Sequence, residues 1–306
     1  MNEVSVKDPK QQHQSALYMG IDGGGSHCRA MLQDARGNLL GQGQGGPANP
    51  VYGLQQSIDS ILTATHQALD EAGLASSDLS NIVVGGGLAG LHLPRMQEAM
   101  QKWQHPFAAL YLTTDLHAAA LGAHQGMDGG VIILGTGFSS LASCKGKLTQ
   151  VGGYGFPINA TCSGSWFGLE AVKAVLLDVD GVGLSTSLTQ ALLMGRSATE
   201  LAEDFMHATA TDYAKLAPLV FEQADIGDKV SLGLIQQGAA FINQVIRRLL
   251  ATGVTRLAMI GGITERIKPW LDPQLLATIN TALASPQQGA LLYARQQHAL
   301  VTKDKS

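Results

Sequence analysis

The stretch MGIDGGGSHCRAML, residues 19–32, carries the first information about the fold. Residues 20–26 hold four glycines, one carboxylate and one hydroxyl, and they join two apolar runs, Leu17–Ile21 and Cys28–Gln33, which are typical of two strands connected by a tight turn. Glycines in such a turn leave backbone N–H groups uncovered, so these groups can converge on an anion. An ordinary hairpin with a glycine bulge is the alternative interpretation.

The strand–turn–strand pattern occurs a second time in LGTGFSSLASC, residues 134–144, where the turn is Gly135-Thr136-Gly137. A third glycine turn, Gly261-Gly262, follows the apolar run LAMI. The first two turns each open one half of the chain. We therefore predict two related halves whose turns bind one ligand.

The segment GQGQGG, residues 41–46, matches the letters of a dinucleotide-binding fingerprint. That fingerprint must open a helix directly, but Pro47 and Pro50 follow it here. We therefore reject a dinucleotide site at this position. The sequence also contains no GxxxxGK[ST] phosphate loop.

The composition of the chain indicates its size class and argues against several kinds of binding partner. The chain has 306 residues, of which 45% are hydrophobic and 14% charged, so we expect about two domains and ample core material. A net charge of −4 argues against nucleic acid as a partner, and no apolar run is long enough to span a membrane. The three cysteines are widely spaced, which is typical of a cytoplasmic protein without a disulfide framework. We expect residues 1–16 to form a disordered leader.

Strands and helices alternate along the chain, which indicates the α/β class. The predicted strands are Leu17–Ile21, Cys28–Gln33, Leu39–Gly43, Asn81–Gly85, Leu110–Thr113, Gly130–Leu134, Leu141–Ser143 and Leu257–Ile260. The predicted helices are Leu54–Glu71, Pro94–Trp103, Leu116–Gly126 and one that begins at Gln287, with residues 164–250 mostly helical. The segment Leu275–Asn280 fits either a strand or a short helix.

Asp115 is the candidate general base. It follows a predicted strand and begins a helix of small residues, where the helix N-terminus favours negative charge. The alternative is that Asp115 only caps this helix. We interpret His117 as a structural or surface residue, since the sequence places no second metal-ligating side chain at ligand spacing from it.

Together, these segments resemble the sugar-kinase, Hsp70 and actin superfamily, and within it the N-acetylglucosamine kinase and BadF/BadG-type ATPase family, most closely its bacterial glucosamine kinases. The matching stretches are GIDGGGSHCRAML (20–32), GGPANP (45–50), GLAG (87–90), TTDLHAAALGAH (113–124), ILGTG (133–137), VGGYGFP (151–157), SGSWFGLEAV (163–172), MIGGITERIKPWL (259–271) and PQQGALLYA (286–294). They extend over nearly the whole chain.

The resemblance implies two ribonuclease-H-like (actin-like ATPase) domains around a nucleotide cleft, over residues 17–122 and 123–286, with a helix at about 287–300 returning to the first domain. It implies ATP-dependent phosphorylation of glucosamine or N-acetylglucosamine, at the 6-hydroxyl, with Asp115 as the base and ATP and Mg²⁺ as cofactors. It also implies a cytoplasmic homodimer whose partners are small molecules.

The resemblance also implies roles for individual residues. The phosphates of ATP would bind Gly23, Gly24, Gly25, Ser26, Gly135, Thr136 and Gly137. Adenosine would bind Gly261 and Gly262, and Mg²⁺ would bind Asp22 through water. The sugar would contact Asn49, Asp115, Gly153, Tyr154, Gly155 and Asn159.

One segment departs from the family pattern. Ala160, Thr161 and Cys162 stand where the family usually has Asp, Glu or Gln, and Gly, and that Asp bonds sugar hydroxyls in relatives. Three explanations stay open: Asn159 or Thr161 compensates, the sugar differs, or catalysis has been lost. The chain could then be a non-catalytic nucleotide or sugar sensor. A further alternative is an energy-coupling ATPase that activates a dehydratase or reductase, but such proteins hold an iron–sulfur cluster with paired cysteines.

Overall fold

The computed structural model describes residues 16–303, so the expected leader lies, except for Ala16, outside the described residues. The chain forms two compact units. The first comprises the chain up to Thr113 together with the chain from Tyr293 onward, and the second comprises Thr114–Leu292. Each unit is built around its own five-stranded sheet.

The first unit begins with a three-stranded antiparallel meander. Its elements are β1 (Leu17–Gly23), β2 (Cys28–Gln33), β3 (Leu39–Gly45), α1 (Leu54–Glu71), a 3₁₀ helix (Ser76–Asn81), β4 (Ile82–Leu88), α2 (Pro94–Gln101) and β5 (Ala109–Thr114). The strand order is β3-β2-β1-β4-β5, with β1 antiparallel to β2 and parallel to β4. The central strands β1 and β4 supply buried side chains such as Met19, Ile21 and Ile82 to the core of this unit.

Helix α1 packs against strand β3 over a stripe of glycines. A Cβ atom at Gly41, Gly43 or Gly45 would overlap a backbone carbonyl oxygen of α1. These alternate glycines all face the helix, because side chains alternate between the two faces of a strand. The segment that imitates a dinucleotide fingerprint is therefore a strand that allows close helix packing, which confirms that it does not open a helix.

The second unit repeats the arrangement of the first. Its elements are α3 (Asp115–His124), β6 (Gly129–Leu134), β7 (Phe138–Cys144), β8 (Lys147–Gly152), α4 (Gly164–Val179), α5 (Leu188–Leu193), α6 (Ala198–Met206), α7 (Ala210–Ala214), α8 (Ala217–Asp225), α9 (Lys229–Leu250), β9 (Leu257–Ile260), α10 (Thr264–Ile267), a 3₁₀ helix (Lys268–Trp270), α11 (Pro273–Leu276) and β10 (Ile279–Asn280). The last helix, α12 (Pro286–Lys303), is divided between the two units. The strand order β8-β7-β6-β9-β10 matches that of the first sheet position by position. The turns β1–β2 and β6–β7 therefore occupy equivalent places in the two units.

Helix α3 belongs to the second unit. Leu116, Ala119 and Ala120 pack with Val131 of β6 and Leu141 of β7 in one buried cluster. The division of the chain at Thr113 consequently lies before α3, whereas the sequence-based boundary at residue 122 placed this helix in the first domain.

The final helix, α12, contributes residues to both units. Near its start, a Cβ at Gly289 would overlap the carbonyl oxygen of Ala118 in the second unit. Near its end, the Arg295 guanidinium donates to the backbone oxygens of Asp34 and Ala35 at 2.7 and 3.0 Å. The same guanidinium lies 4.1 Å from the centre of the Tyr18 ring in the first unit.

Across residues 16–303, none of the helices combines the length and the apolar character needed to cross a membrane.

Candidate active site

The first glycine turn closes the β1–β2 hairpin. The Gly24 N–H donates to His27 O at 2.9 Å, and Gly24 O accepts from Ala48 N at 2.9 Å. A Cβ on Gly23 would lie 2.5 Å from Leu88 Cδ2, so packing alone explains this glycine. A Cβ on Gly24 or Gly25 would meet no atom closer than 3.5 Å, and neither residue has a φ in the left-handed region. Neither packing nor backbone conformation therefore explains the absence of a side chain at these two positions.

Asp22, the predicted magnesium residue, lies at the end of β1 and is half-buried. It is the cross-strand neighbour of Arg29. Burial, together with the negative charge of Asp22, raises the pKa of the nearby Cys28 thiol to about 12. Within residues 16–303, no group of three or more His, Cys, Asp and Glu side chains could hold a metal ion. The site chemistry suits Mg²⁺, which commonly binds one or two carboxylates and takes its other ligands from water and phosphate oxygens.

Asn49, the predicted sugar contact in the first unit, follows β3 in the PANP loop. Its Oδ1 atom accepts a hydrogen bond from Val51 N at 3.0 Å, and its backbone oxygen accepts from Tyr52 N at 3.1 Å. The first bond holds the side chain in one orientation, and the second holds the backbone turn that carries it. The residue is half-buried, so the amide is not enclosed by the core.

Asp115 occupies the first turn of α3, but it is not the cap of that helix. Thr114 is the N-cap, and its hydroxyl accepts from His117 N at 3.1 Å. The interpretation of Asp115 as a simple N-cap is therefore wrong. Its Oδ1 accepts from Leu116 N at 2.9 Å, and the half-buried carboxylate lies where the helix dipole stabilises negative charge. Burial lowers the pKa of His117.

The second glycine turn, Gly135-Thr136-Gly137, lies against the N-terminus of α4. Its backbone oxygens accept from Gly164 N at 2.9 Å and from Ser165 N at 3.0 Å. A Cβ on Gly135 or Gly137 would meet no atom within 4 Å, and neither glycine has a φ in the left-handed region. As at Gly24 and Gly25, neither packing nor backbone conformation requires glycine at these two positions.

The third glycine turn packs directly on the second. Gly261 has φ +109°, and a Cβ there would overlap Leu134 O and lie 2.9 Å from Gly135 N. Ile263 N donates to Leu134 O at 3.0 Å, which fixes the two turns side by side. Gly262, in contrast, faces open space. The structure thus brings together the predicted phosphate turn of the second unit and the predicted adenosine turn.

The predicted sugar loop follows β8. Gly153 and Gly155 have φ of +84° and +90°, a conformation that favours glycine, and Asn159 N donates to Gly155 O at 2.8 Å. Tyr154 is 76% exposed. The Oδ1 atom of Asn159 is buried, and the described part of the chain offers it no hydrogen-bond partner. A buried carbonyl oxygen without a partner is costly, so an external donor would stabilise it.

The three residues that depart from the family pattern end this loop. Ala160 is only 3% exposed and belongs to the core of the second unit. Cys162 is buried with φ +67°, a left-handed conformation that L-residues other than glycine rarely adopt, which explains why the family usually has glycine at this position. Burial raises the pKa of the Cys162 thiol.

Sequence reasoning missed two supports of these loops. Strand β8, which delivers the sugar loop, was not among the predicted strands. The contact of the α4 N-terminus with the second glycine turn was also not predicted, although Ser163 in SGSW is a typical N-cap residue and does cap α4.

A family model for the BadF/BadG/BcrA/BcrD ATPase family matches residues 19–294. The chain belongs to this family. The sequence-based assignment is therefore confirmed. One relative, from Vibrio cholerae, is named glucosamine kinase GspK. It is 34% identical to this chain, and the match covers 94% of this chain and 98% of the relative. An N-acetyl-D-glucosamine kinase of Dictyostelium discoideum is 27% identical over 91% of the chain and 97% of its own length.

A solved structure from Chromobacterium violaceum, described as a candidate N-acetylglucosamine kinase, has the same fold. It superposes with a TM-score of 0.86 at 29% identity, covering 92% of this chain and 99% of that one. The prediction of two actin-like domains is confirmed. The names of these relatives agree with the prediction of a sugar kinase, and membership of an ATPase family agrees with the prediction of ATP as a cofactor.

Proposed function

We propose that this BadF/BadG-family protein is an ATP-dependent kinase that phosphorylates glucosamine or N-acetylglucosamine at the 6-hydroxyl. One observation carries the proposal beyond the family assignment. Five glycines at strand-end turns have neither a close neighbour nor a φ in the left-handed region to explain them: Gly24, Gly25, Gly135, Gly137 and Gly262. A turn without side chains leaves room for a phosphate to approach the backbone, which is typical of phosphate-binding loops, in which a side chain would occupy the space of the ligand.

In this proposal the phosphates of ATP bind the backbone of residues 23–26 and 135–137, with hydroxyls from Ser26 and Thr136. Gly261 and Gly262 line the adenosine. Asp22 holds Mg²⁺ through water, and the ion, when bound, neutralises charge on the phosphates that react. Phosphoryl transfer depends mainly on positioning and charge neutralisation, which rigid backbone loops can provide.

Asp115 takes the proton from the attacking sugar hydroxyl. Its carboxylate is half-buried at the N-terminus of α3, and Leu116 N holds one of its oxygens. A positioned carboxylate typically contributes about 10²- to 10⁴-fold to the rate as a general base. Asn49, Gly153, Tyr154, Gly155 and Asn159 bind the sugar, and the unpartnered Oδ1 of Asn159 supports this assignment because it requires a donor.

The test is ADP release with Mg-ATP against glucosamine, N-acetylglucosamine, glucose and no sugar. We expect one amino sugar to stimulate ADP release strongly and the product to be the 6-phosphate. Asp115→Asn should lower kcat at least about a hundredfold while ATP affinity changes little. Asp180→Asn, at an exposed aspartate after α4, is the matched control and should behave as wild type.

Other results of this experiment would each support a different function or mechanism. ATP binding without stimulation by any sugar would contradict the kinase and favour the non-catalytic sensor, which the Ala160-Thr161-Cys162 segment motivates. ADP release that requires a dehydratase or reductase partner would favour the energy-coupling ATPase. An Asp115→Asn variant within about threefold of wild type would remove Asp115 from the mechanism. Homodimerisation and a cytoplasmic location stay predictions, which light scattering and fractionation can test.

A further inference from the structure

We infer that Gly90 is a positioning residue that turns the Asn49 amide so that its NH₂ group, and not its carbonyl oxygen, faces the sugar. The inference rests on the proposed function and deepens it, because it specifies which kind of sugar atom Asn49 binds. Both residues belong to the first unit. Gly90 follows β4 and has no place in the phosphate-binding turns described above.

The orientation of the amide follows from one hydrogen bond. The backbone N–H of Val51 donates to Asn49 Oδ1 at 3.0 Å. A backbone N–H can only donate, so the side-chain atom that it meets must be the carbonyl oxygen and not the nitrogen. The Nδ2 group consequently points away from Val51, and no hydrogen bond joins it to another residue within the range 16–303.

Gly90 lies in close contact with this amide. It has φ +82°, and a Cβ there would overlap Asn49 Oδ1 and lie 2.7 Å from Val51 Cγ2. Its backbone is held by the bond from Leu93 N to Gly90 O at 3.1 Å. Any side chain at residue 90 must therefore displace the Asn49 carbonyl or the Val51 side chain, because the turn itself is anchored.

The orientation restricts what Asn49 can bind. Its free NH₂ group supplies two donors, so the partner must be an acceptor: a hydroxyl or ring oxygen, or the carbonyl of an N-acetyl group. The protonated amine of glucosamine offers no lone pair and cannot be that partner. The sugar therefore lies with an oxygen, and not an ammonium group, against Asn49.

The test compares Gly90→Ala with Gly37→Ala in sugar-dependent ADP release. Gly37, in the β2–β3 turn, has a similar φ of +91°, but a Cβ there would meet no atom within 4 Å. Both variants share the strain of alanine at positive φ, and only Gly90→Ala disturbs Asn49. We expect Gly90→Ala to raise the sugar KM about tenfold, with kcat and ATP affinity within about twofold of wild type. We expect Gly37→Ala to leave all three constants unchanged.

Two variants of Asn49 complete the experiment. Asn49→Ala removes the contact, and Asn49→Asp keeps the bond from Val51 N but replaces the donor by an acceptor. Asn49→Ala should raise the sugar KM about as much as Gly90→Ala does, and the double variant Gly90→Ala/Asn49→Ala should be no worse than Asn49→Ala alone. Asn49→Asp should raise the sugar KM if the partner is a ring or carbonyl oxygen, whereas a hydroxyl can donate to the carboxylate instead. Additive effects in the double variant would overturn the inference.

The outcomes distinguish this inference from the proposed function. A wild-type protein without sugar-dependent ADP release would refute both. An active wild type in which Gly90→Ala and Gly37→Ala behave alike would refute only the role of Gly90. If Gly90→Ala does not fold, as judged from its melting curve, the double variant Gly90→Ala/Asn49→Ala decides. Recovery of folding would show that the added methyl group displaces the Asn49 amide, and continued failure to fold would refute the role of Gly90.

Discussion

Replacing Gly137 by alanine separates the stability of the fold from nucleotide binding. No atom lies within 4 Å of the position that a Cβ would occupy at Gly137, and its φ lies outside the left-handed region. An alanine there meets no steric obstacle in the folded state and reduces the freedom of the unfolded chain. Without ligand, the free energy of unfolding should therefore rise by about 0.4–1 kcal/mol.

Binding of ATP should change in the opposite direction. If phosphate oxygens approach the backbone of residue 137, the added methyl group overpacks the site, which typically costs about 1–3 kcal/mol. At an ATP concentration about 100 times the wild-type Kd, binding stabilises the wild type by about 2.7 kcal/mol. A variant with tenfold weaker binding gains only about 1.4 kcal/mol at the same concentration.

Thermal unfolding with and without Mg-ATP measures both quantities. The matched control is Gly233→Ala, an exposed glycine within α9 that also has no atom within 4 Å of a Cβ. The control should gain stability by about 0.5–1 kcal/mol and keep the full stabilisation by ATP. If Gly137→Ala also keeps the full stabilisation by ATP, the open space at the second turn does not hold a phosphate, and our interpretation of the strand-end glycines is refuted.

Three further predictions concern packing. Gly43→Ala should destabilise the protein by about 1–3 kcal/mol in urea unfolding, because the methyl group overlaps a carbonyl oxygen of α1, and an unchanged midpoint would contradict that packing. In the native protein a thiol reagent at pH 8 should modify at most Cys144, because Cys28 and Cys162 are buried and the pKa of Cys28 is about 12. Modification of all three cysteines before the protein unfolds would contradict this prediction. Ala160→Asp should lower the free energy of unfolding by at least about 2 kcal/mol, because the carboxylate enters the core, and a variant as stable as wild type would show that the carboxylate finds a partner.

Hydrophobic periodicity and turn residues predicted most of the fold. The bounds of Cys28–Gln33, Leu54–Glu71 and Leu257–Ile260 agree with β2, α1 and β9. Strand β8 was missed, because LTQV is short, mixed in polarity and mostly not fully buried. For Leu275–Asn280 the structure has both alternatives, since α11 ends at Leu276 and β10 begins at Ile279.

The site was less predictable at the level of single atoms. In the sequence, Gly23, Gly24 and Gly25 are equivalent, yet Gly23 is required by packing against Leu88 and the other two are not. Thr114 and Asp115 are both good capping residues, and only the backbone path decides that Thr114 caps the helix. Such distinctions depend on tertiary contacts, which local sequence patterns do not contain.

The path of α12 has a consequence for how the protein is made. The first unit is discontinuous in sequence, since the residues up to Thr113 are completed by those from Tyr293 onward, whereas Thr114–Leu292 is one uninterrupted segment. During synthesis on the ribosome, the second unit has emerged almost entirely before Arg295 can bond to Asp34 and Ala35. The unit that begins the chain is therefore the last to be completed, and a newly made chain that stops before residue 286 lacks the helix that finishes it.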